Sequence, residues 1–491
     1  MAIRTEPGPW ATLGALCVGF FMILVDMTIV AVANPTIMNE LHTGLSTVVW
    51  VTSSYLLAYA VPLLVTGRLG DQFGPKNVYL IGLTIFTFAS LACGLSTSIT
   101  MLILARGVQG IGAALMTPQT MAVITRIFPP DKRGAAMGAW GSIAGVASLV
   151  GPIIGGVLVD GLGWKWIFLV NVPLGVIAFV LAVIFMPSLQ THRHRFDLLS
   201  VALSMAGMFL VVFGIQQGNT EHWSGRIWLC IAAGLALLAG FVVYQSRNSL
   251  EPLVPLSLFR DRNFALSTLA MTAMGVATTG MMLPGYFYLE NVRGYSPTGA
   301  ATVWVLMAFL TALFSPIVGR LVDRVHPRAV PVAGFAGFAV GIAWFGFAMK
   351  PDTPLWQLLL PLACMGLANA CIWSPLAAIA TYGLPPQQAG VGAGVYNTAR
   401  QVGLVLGSAG IGALIPARLA AHGIPSVEAG ASGPLLGPVQ HAFSTALAQS
   451  MVLPSAILVI GIVSCLLLGA RPQAPVEVVP IGENSDAAGI H

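Results

Sequence analysis

The sequence predicts an all-α integral membrane protein: fourteen transmembrane helices, arranged as two six-helix bundles with two further helices inserted between them. Three observations carry this reading. Of 491 residues, 56% are hydrophobic and only 8% charged, against about 25% charged in soluble domains. Apolar stretches of roughly twenty residues, long enough to cross about 30 Å of hydrocarbon as helix, follow one another along nearly the whole chain. One charged motif occurs twice, in two separate sets of apolar stretches.

Bounded by charges, prolines and glycine clusters, the spans fall near 11–32, 47–66, 78–96, 99–123, 134–159, 166–186, 198–217, 227–246, 264–288, 299–319, 329–348, 355–381, 389–415 and 451–470. The first resembles a secretion signal because Ala31-Val32-Ala33 follows an apolar run. It is nevertheless read as a retained helix: the run is too long, contains Asp26, and has only Arg4 as a basic start. Alternating the connections between the two sides puts fifteen Lys and Arg on the side of both termini, among them Arg68, Lys76, Arg126, Lys132, Arg133, Arg320, Arg324 and Arg328. The other side receives five: Lys165, Arg226, Arg293, Lys350 and Arg418. The positive-inside rule then makes both termini cytoplasmic. The net charge of +5 reflects this topology and is no sign of a nucleic-acid partner.

All six cysteines (Cys17, Cys93, Cys230, Cys364, Cys371, Cys465) fall within apolar spans, where small core residues are expected in place of disulfides or metal ligands. No phosphate loop of the form Gly-x4-Gly-Lys-Ser/Thr occurs, and no histidine lies deep in a span. No nucleophile–base or metal-ligand set is visible, so neither an enzyme nor a cofactor is expected.

The repeated motif divides the chain. GRLGDQFGPK, residues 67–76, follows the second span, and GRLVDRVHPR, residues 319–328, follows the tenth. Such duplication is common in transporter halves. Expected domains are therefore 1–190, a six-helix bundle; 191–262, an inserted helix pair with its linkers; 263–471, a second six-helix bundle; and 472–491, a disordered cytoplasmic tail. Residues from Pro416 to about Gln440, rich in Gly, Ala and Pro, read as an external loop.

Several further motifs stand in order: LVDMTIVAVANPTI (24–37), RGVQGIGAA (106–114), GVASLVGPIIGG (145–156), WKWIFLVNVP (164–173) and GAGVYNTARQVGLVLG (392–407). With the repeated motif they make the chain resemble the major facilitator superfamily, and within it the fourteen-spanner drug:proton antiporter family, from about residue 10 to 470. The resemblance implies a proton-coupled exporter of small lipophilic compounds, working by alternating access in the cytoplasmic membrane. Its partners would be the substrate, protons and membrane lipids, and it would function as a monomer. Dedicated export of one metabolite, lipid or siderophore is an alternative; a sensor that no longer transports is a second.

Asp26 is an ionisable group at membrane depth, which is costly and marks a functional site by default. It lies about six residues from the outer end of its predicted span, and Arg106 about seven residues into the fourth, so the two share a depth. Two readings follow: a carboxylate that alternates between proton-bound and ionised forms while Arg106 competes for it, or a static pair ordering two helices. The resemblance implies the first.

In the fifth span Gly138, Gly141, Gly145, Ser148, Pro152 and Gly155 recur every three or four residues, presenting one smooth face for close helix packing. The resemblance makes Gly145, Gly151, Pro152, Gly155 and Gly156 an antiporter motif that marks export. In the loop motif, Asp71 is expected to pair with Arg68, Lys76 or Arg126, with Gly67, Gly70 and Gly74 permitting a tight turn. The resemblance gives Asp71 a gating role, and Asp323 with Arg320 and Arg324 would form the second copy. Gln72 and Pro75 depart from the family pattern, where basic residues are usual.

Arg400, beside Gln401 and near Asn397 in the thirteenth span, either orders the second bundle or lines a substrate cavity. Gln109 and Trp304 are further cavity candidates, and Met271, Met274, Met281 and Met282 would suit adaptable binding. Glu290, with Tyr286 and Tyr288 near the outer end of the ninth span, reads either as interfacial anchoring or as part of an outer gate. Because Asp26 stands alone as a mid-membrane acid, lipophilic monocations, zwitterions and neutral compounds are the expected substrates.

Overall fold

The computed structural model describes residues 8–43, 45–129, 131–189, 191, 197–218, 221, 223–247, 252–322, 324–385, 388–423 and 437–469. The first bundle holds α1 (Pro9–Glu40), α2 (Leu45–Ala60), α3 (Leu63–Phe73), α4 (Pro75–Gly94), α5 (Ile99–Ile127), α6 (Arg133–Leu162), α7 (Trp166–Leu169) and α8 (Asn171–Phe185). A pair follows, α9 (Leu198–Gly218) and α10 (Gly225–Arg247). The second bundle holds α11 (Arg262–Phe287), α12 (Pro297–Val322), α13 (Ala329–Ala348), α14 (Leu355–Ala370), α15 (Trp373–Thr381), α16 (Ala389–Ala421), α17 (Pro438–Ser450) and α18 (Val452–Leu466).

Among the described residues, twelve stretches are long and apolar enough to span a membrane, and the bent pair α2–α3 makes a thirteenth. The 30-residue α6 is the fourteenth. Four spans are interrupted, each beside a proline. Pro62 has no N–H to give, and α2 and α3 meet there at 48°. Pro173, Pro375 and Pro454 crowd the carbonyls four residues earlier, where α7 gives way to α8, α14 to α15 and α17 to α18. Helix starts are capped where the sequence offers a short acceptor: Ser98 Oγ accepts from Met101 N at 3.3 Å, and Asp261 Oδ1 from Asn263 N at 2.8 Å.

Large apolar side chains such as Phe88 and Phe347 stand fully outward, as lipid permits and water does not. Inside the first bundle, Tyr79, Phe86 and Met116 pack around α5, while Trp164 and Phe168 close its far end. In the inserted pair, Met208 and Val212 of α9 lie on Leu57 and Val61 beside α2, flanked by Val402 and Val405 of α16. This pair therefore lies along the seam between the bundles.

Three boundaries differ from expectation. α1 was expected to end near residue 32 and continues to Glu40, because the polar Asn34 and Glu40 do not stop a helix; Glu40 accepts from Trp164 Nε1 at 2.9 Å. The external segment expected from Pro416 is helical to Ala421 and again from Pro438; residues 424–436 lie outside the described residues. GRLGDQFGPK was expected as a loop, yet residues 67–73 are helix and only Gly74 breaks it, at φ +88°. Its charges mislead because Arg68 and Asp71 are buried between helices.

Candidate functional site

Polar side chains gather at three levels along α5, which carries a member of each. The first is Arg106 with Gln109; the second is Thr117, eight residues or about 12 Å beyond Gln109; the third is Arg126, nine residues or about 13 Å further.

At the first level Asp26 is completely buried and fully engaged. Arg106 Nη1 donates to Asp26 Oδ2 at 2.5 Å. Gln109 Nε2 and Asn171 Nδ2 both donate to Asp26 Oδ1 at 3.0 Å. Arg106 also donates to Gln109 Oε1 at 2.8 Å and, through Nε, to the Val51 carbonyl at 3.0 Å. Its guanidinium lies 4.1 Å over the Tyr55 ring. Asn171 Nδ2 reaches Ser90 Oγ at 3.1 Å as well. Five helices thus converge on one carboxylate. Because α1 runs on to Glu40, Asp26 is fourteen residues from its end and not six. Gln109, expected to line a substrate cavity, is part of this network. Asn171 was missed; it sits in the WKWIFLVNVP stretch, whose lone amide in an apolar run was the available signal.

At the second level the bundles touch through side chains. Tyr59 Oη donates to Thr117 Oγ1 at 3.2 Å and accepts from Arg400 Nη2 at 3.2 Å. The Arg400 guanidinium lies 5.7 Å from the Trp373 ring centre, and Trp373 Nε1 donates to Asn369 Oδ1 at 2.6 Å.

At the third level Asp71 is completely buried and joins the bundles. Arg126 Nη2 donates to Asp71 Oδ1 at 2.5 Å. The backbone N–H groups of Gly390 and Val391 donate to its two oxygens at 3.1 and 2.9 Å. These are among the N–H groups that the first turn of α16 leaves without helical partners, so Asp71 caps a helix of the other bundle and meets the positive end of its dipole. Nearby, Arg133 Nη1 donates to the Thr381 carbonyl at 3.1 Å. Lys76 donates to the Val183 and Met186 carbonyls at 2.8 and 2.6 Å, closing the end of α8.

The glycines correct the sequence reading further. Gly67 does not serve a turn: a Cβ there would strike the Gly390 carbonyl and come within 3.1 Å of Gly394 Cα. Gly319, at the same place in the repeated motif, meets Gly134 and Gly138 in the same way. The two motif copies thus carry two equivalent crossings, α3 on α16 and α12 on α6, where backbones touch directly. Gly70 lies against Gln119, and Gly74 alone makes the turn. Asp323 lies outside the described residues, and Arg324 is exposed in the turn beside it.

The expected smooth face of α6 is divided. Gly138, Gly141 and Gly145 lie against α12 and α15 of the second bundle, whereas Gly151 and Gly155 lie against Thr28 and Ile29 of α1. Gly156 meets nothing within 4 Å, and Pro152 falls inside the same helix. Among the described residues, α6 meets the second bundle toward the end where α1 begins and α18 finishes, at Gly138, Gly141 and Gly145, whereas its glycines Gly151 and Gly155 farther along face α1. Trp304, expected to line a cavity, is buried against Gly285, Tyr286 and Phe345. Met271, Met274 and Met281 are buried in the same core. Asn397 Nδ2 donates to the Ala393 carbonyl of its own helix at 2.9 Å, and Gln401 is buried.

Residues 16–408 match the family model of the Major Facilitator Superfamily. The chain belongs to that superfamily. An uncharacterised MFS-type transporter of Mycobacterium tuberculosis is 50% identical over 506 aligned residues, covering 99% of this chain and 86% of the relative. The tetracenomycin C resistance and export protein of Streptomyces glaucescens is 34% identical over 442, covering 88% and 81%. In fold, the human organic anion transporter MFSD10 superposes with a TM-score of 0.62 at 15% identity, over 92% of this chain and all of that one. With its fourteen spans, the chain stands in the branch of the superfamily that includes multidrug exporters. It is a multi-pass membrane transporter.

Proposed function

We propose that this major facilitator protein is a proton-coupled antiporter that exports small lipophilic compounds, drugs and antibiotics among them, across the cytoplasmic membrane. Both termini lie in the cytoplasm. The observation that carries the reading is the buried Asp26 carboxylate with Arg106, Gln109 and Asn171 as its three donors. All three donors point at the carboxylate oxygens; a proton on Asp26 would replace an acceptor by a donor and release Arg106. The network then has two arrangements, and a proton chooses between them.

The second arrangement is tied to the rest of the molecule through α5, which carries Arg106 at one end and Arg126 at the other. Protons arriving from outside bind Asp26 in the state open to that side. The bundles then rock apart at Asp71 and the glycine crossings, the proton leaves inward, and substrate is taken up for the return. Each inward charge supplies about 2.3 kcal/mol per 100 mV. Contacts of α6 with the second bundle at the terminal end, and its turn toward α1 beyond Gly145, support the outward-open state for this conformation.

The test uses purified protein in proteoliposomes with a dye substrate and an imposed pH gradient. Wild type should drive dye movement against its gradient, and Asp26→Asn should reduce the driven component to background while leaving facilitated dye exchange. Full driven transport by Asp26→Asn would end the proposal. A narrower reading, export of one product, is favoured by the name of the Streptomyces relative; a panel of unrelated dyes and antibiotics in a pump-deficient strain separates the two.

A further inference from the structure

The protein buries two arginines at membrane depth, and they are treated differently. Arg106 has Asp26 at 2.5 Å. Arg400 is nine-tenths buried, and among the described residues no carboxylate lies within ion-pair distance of it. Its Nε has no hydrogen-bond partner, and Nη2 has only the neutral Tyr59 hydroxyl, at 3.2 Å. A guanidinium keeps its charge at any physiological pH, so this site holds a permanent positive charge with unfilled donor capacity. It sits where the bundles meet, on the open side of the Asp71 contact. The Trp373 ring lies 5.7 Å away, fixed by its own bond to Asn369.

Resting on the export reading, we infer that Arg400 and Trp373 form a substrate subsite for planar aromatic compounds bearing a carboxylate or phenolate. The fork of guanidinium donors matches a carboxylate in two parallel hydrogen bonds. The flat body of the ligand lies against the indole. In taking the guanidinium, the ligand replaces the Tyr59 hydroxyl, which belongs to the other bundle. Binding therefore dissolves a side-chain link between the bundles at the moment the transporter must choose a direction. This reverses the substrate expectation drawn from the scarcity of buried acids: the deciding charge is an unanswered cation.

The test is equilibrium binding to the full chain in detergent, by scintillation proximity with tritiated 2-naphthoate and its uncharged isostere 2-naphthamide at one pH and no gradient. Wild type should bind naphthoate about tenfold or more tighter than naphthamide. Arg400→Gln should bring the two within about twofold by weakening naphthoate alone, with retained naphthamide binding reporting a folded cavity. If Arg400→Gln binds neither probe, Arg400→Lys decides: a kept preference supports the subsite and a lost one overturns it. Equal binding of both probes, no saturable naphthoate binding by wild type, or an intact preference in Arg400→Gln also overturns it. Because both probes are compared in one protein at one pH and without a gradient, Asp26→Asn should keep the preference, so failure of proton coupling and failure of the subsite give different results.

Discussion

Replacing Asp71 by Asn should unlock the terminal end of the protein without unfolding it. The Asp71–Arg126 pair joins helices of one bundle and persists whichever way the bundles rock, so its loss does not favour a state. The state-dependent part is the pair of bonds from Gly390 N and Val391 N, at 3.1 and 2.9 Å. A hydrogen bond to a charged group contributes about 1.5–3 kcal/mol, and in the other state water replaces both partners. Taking the low end for each gives about 3 kcal/mol in favour of the present state, or roughly a hundredfold in the equilibrium at 1.4 kcal/mol per factor of ten. An Asn can accept one of these bonds but brings no charge to the helix end. Spin labels at Asp131→Cys and Arg328→Cys, both exposed at the terminal end, would read the change in a background lacking the native cysteines. Double electron–electron resonance should show one distance for wild type and a second, longer population for Asp71→Asn. Identical distance distributions in the two proteins would refute the locking argument.

Other substitutions test other parts. Gly67→Ala and Gly319→Ala each drive a methyl into a backbone carbonyl across the bundle seam; overpacking costs about 1–3 kcal/mol, so both should favour the same longer-distance population, and an effect from only one would break the proposed equivalence of the crossings. Asn171→Ala removes one of the three donors to Asp26, worth about 1.5–3 kcal/mol; gradient-driven transport should shift its pH dependence while gradient-free exchange holds, as paired flux assays would record. Trp304→Ala should lower thermal stability, by about 3 kcal/mol if it behaves as other buried tryptophans do, and leave substrate affinity unchanged; a selective loss of affinity would return Trp304 to the cavity.

Hydropathy made the spans legible because lipid requires each crossing to be long and apolar, and the charge asymmetry ordered them. Asp26, Arg106, Asp71 and Arg126 stood out because a charge in or beside an apolar run is rare. What remained hidden were partners far apart in the chain. Nothing local joins Tyr59 to Arg400, or Asp71 to the amides of residues 390 and 391. The glycines of GRLGDQFGPK were misread for a physical reason: in sequence, a glycine that frees a turn and one that admits a neighbouring backbone look alike. Only the crossing at Gly390 and Gly394 tells them apart. Asn34 and Glu40 likewise look like a helix end, yet polar side chains leave the α1 backbone hydrogen bonds intact.

The central claim is that protonation of Asp26 is exchanged for substrate. Purified wild-type protein in weakly buffered detergent solution, given a saturating transported dye, should release protons measurable with a pH indicator. Asp26→Asn should bind the dye and release none, whereas equal proton release from both proteins would contradict the account.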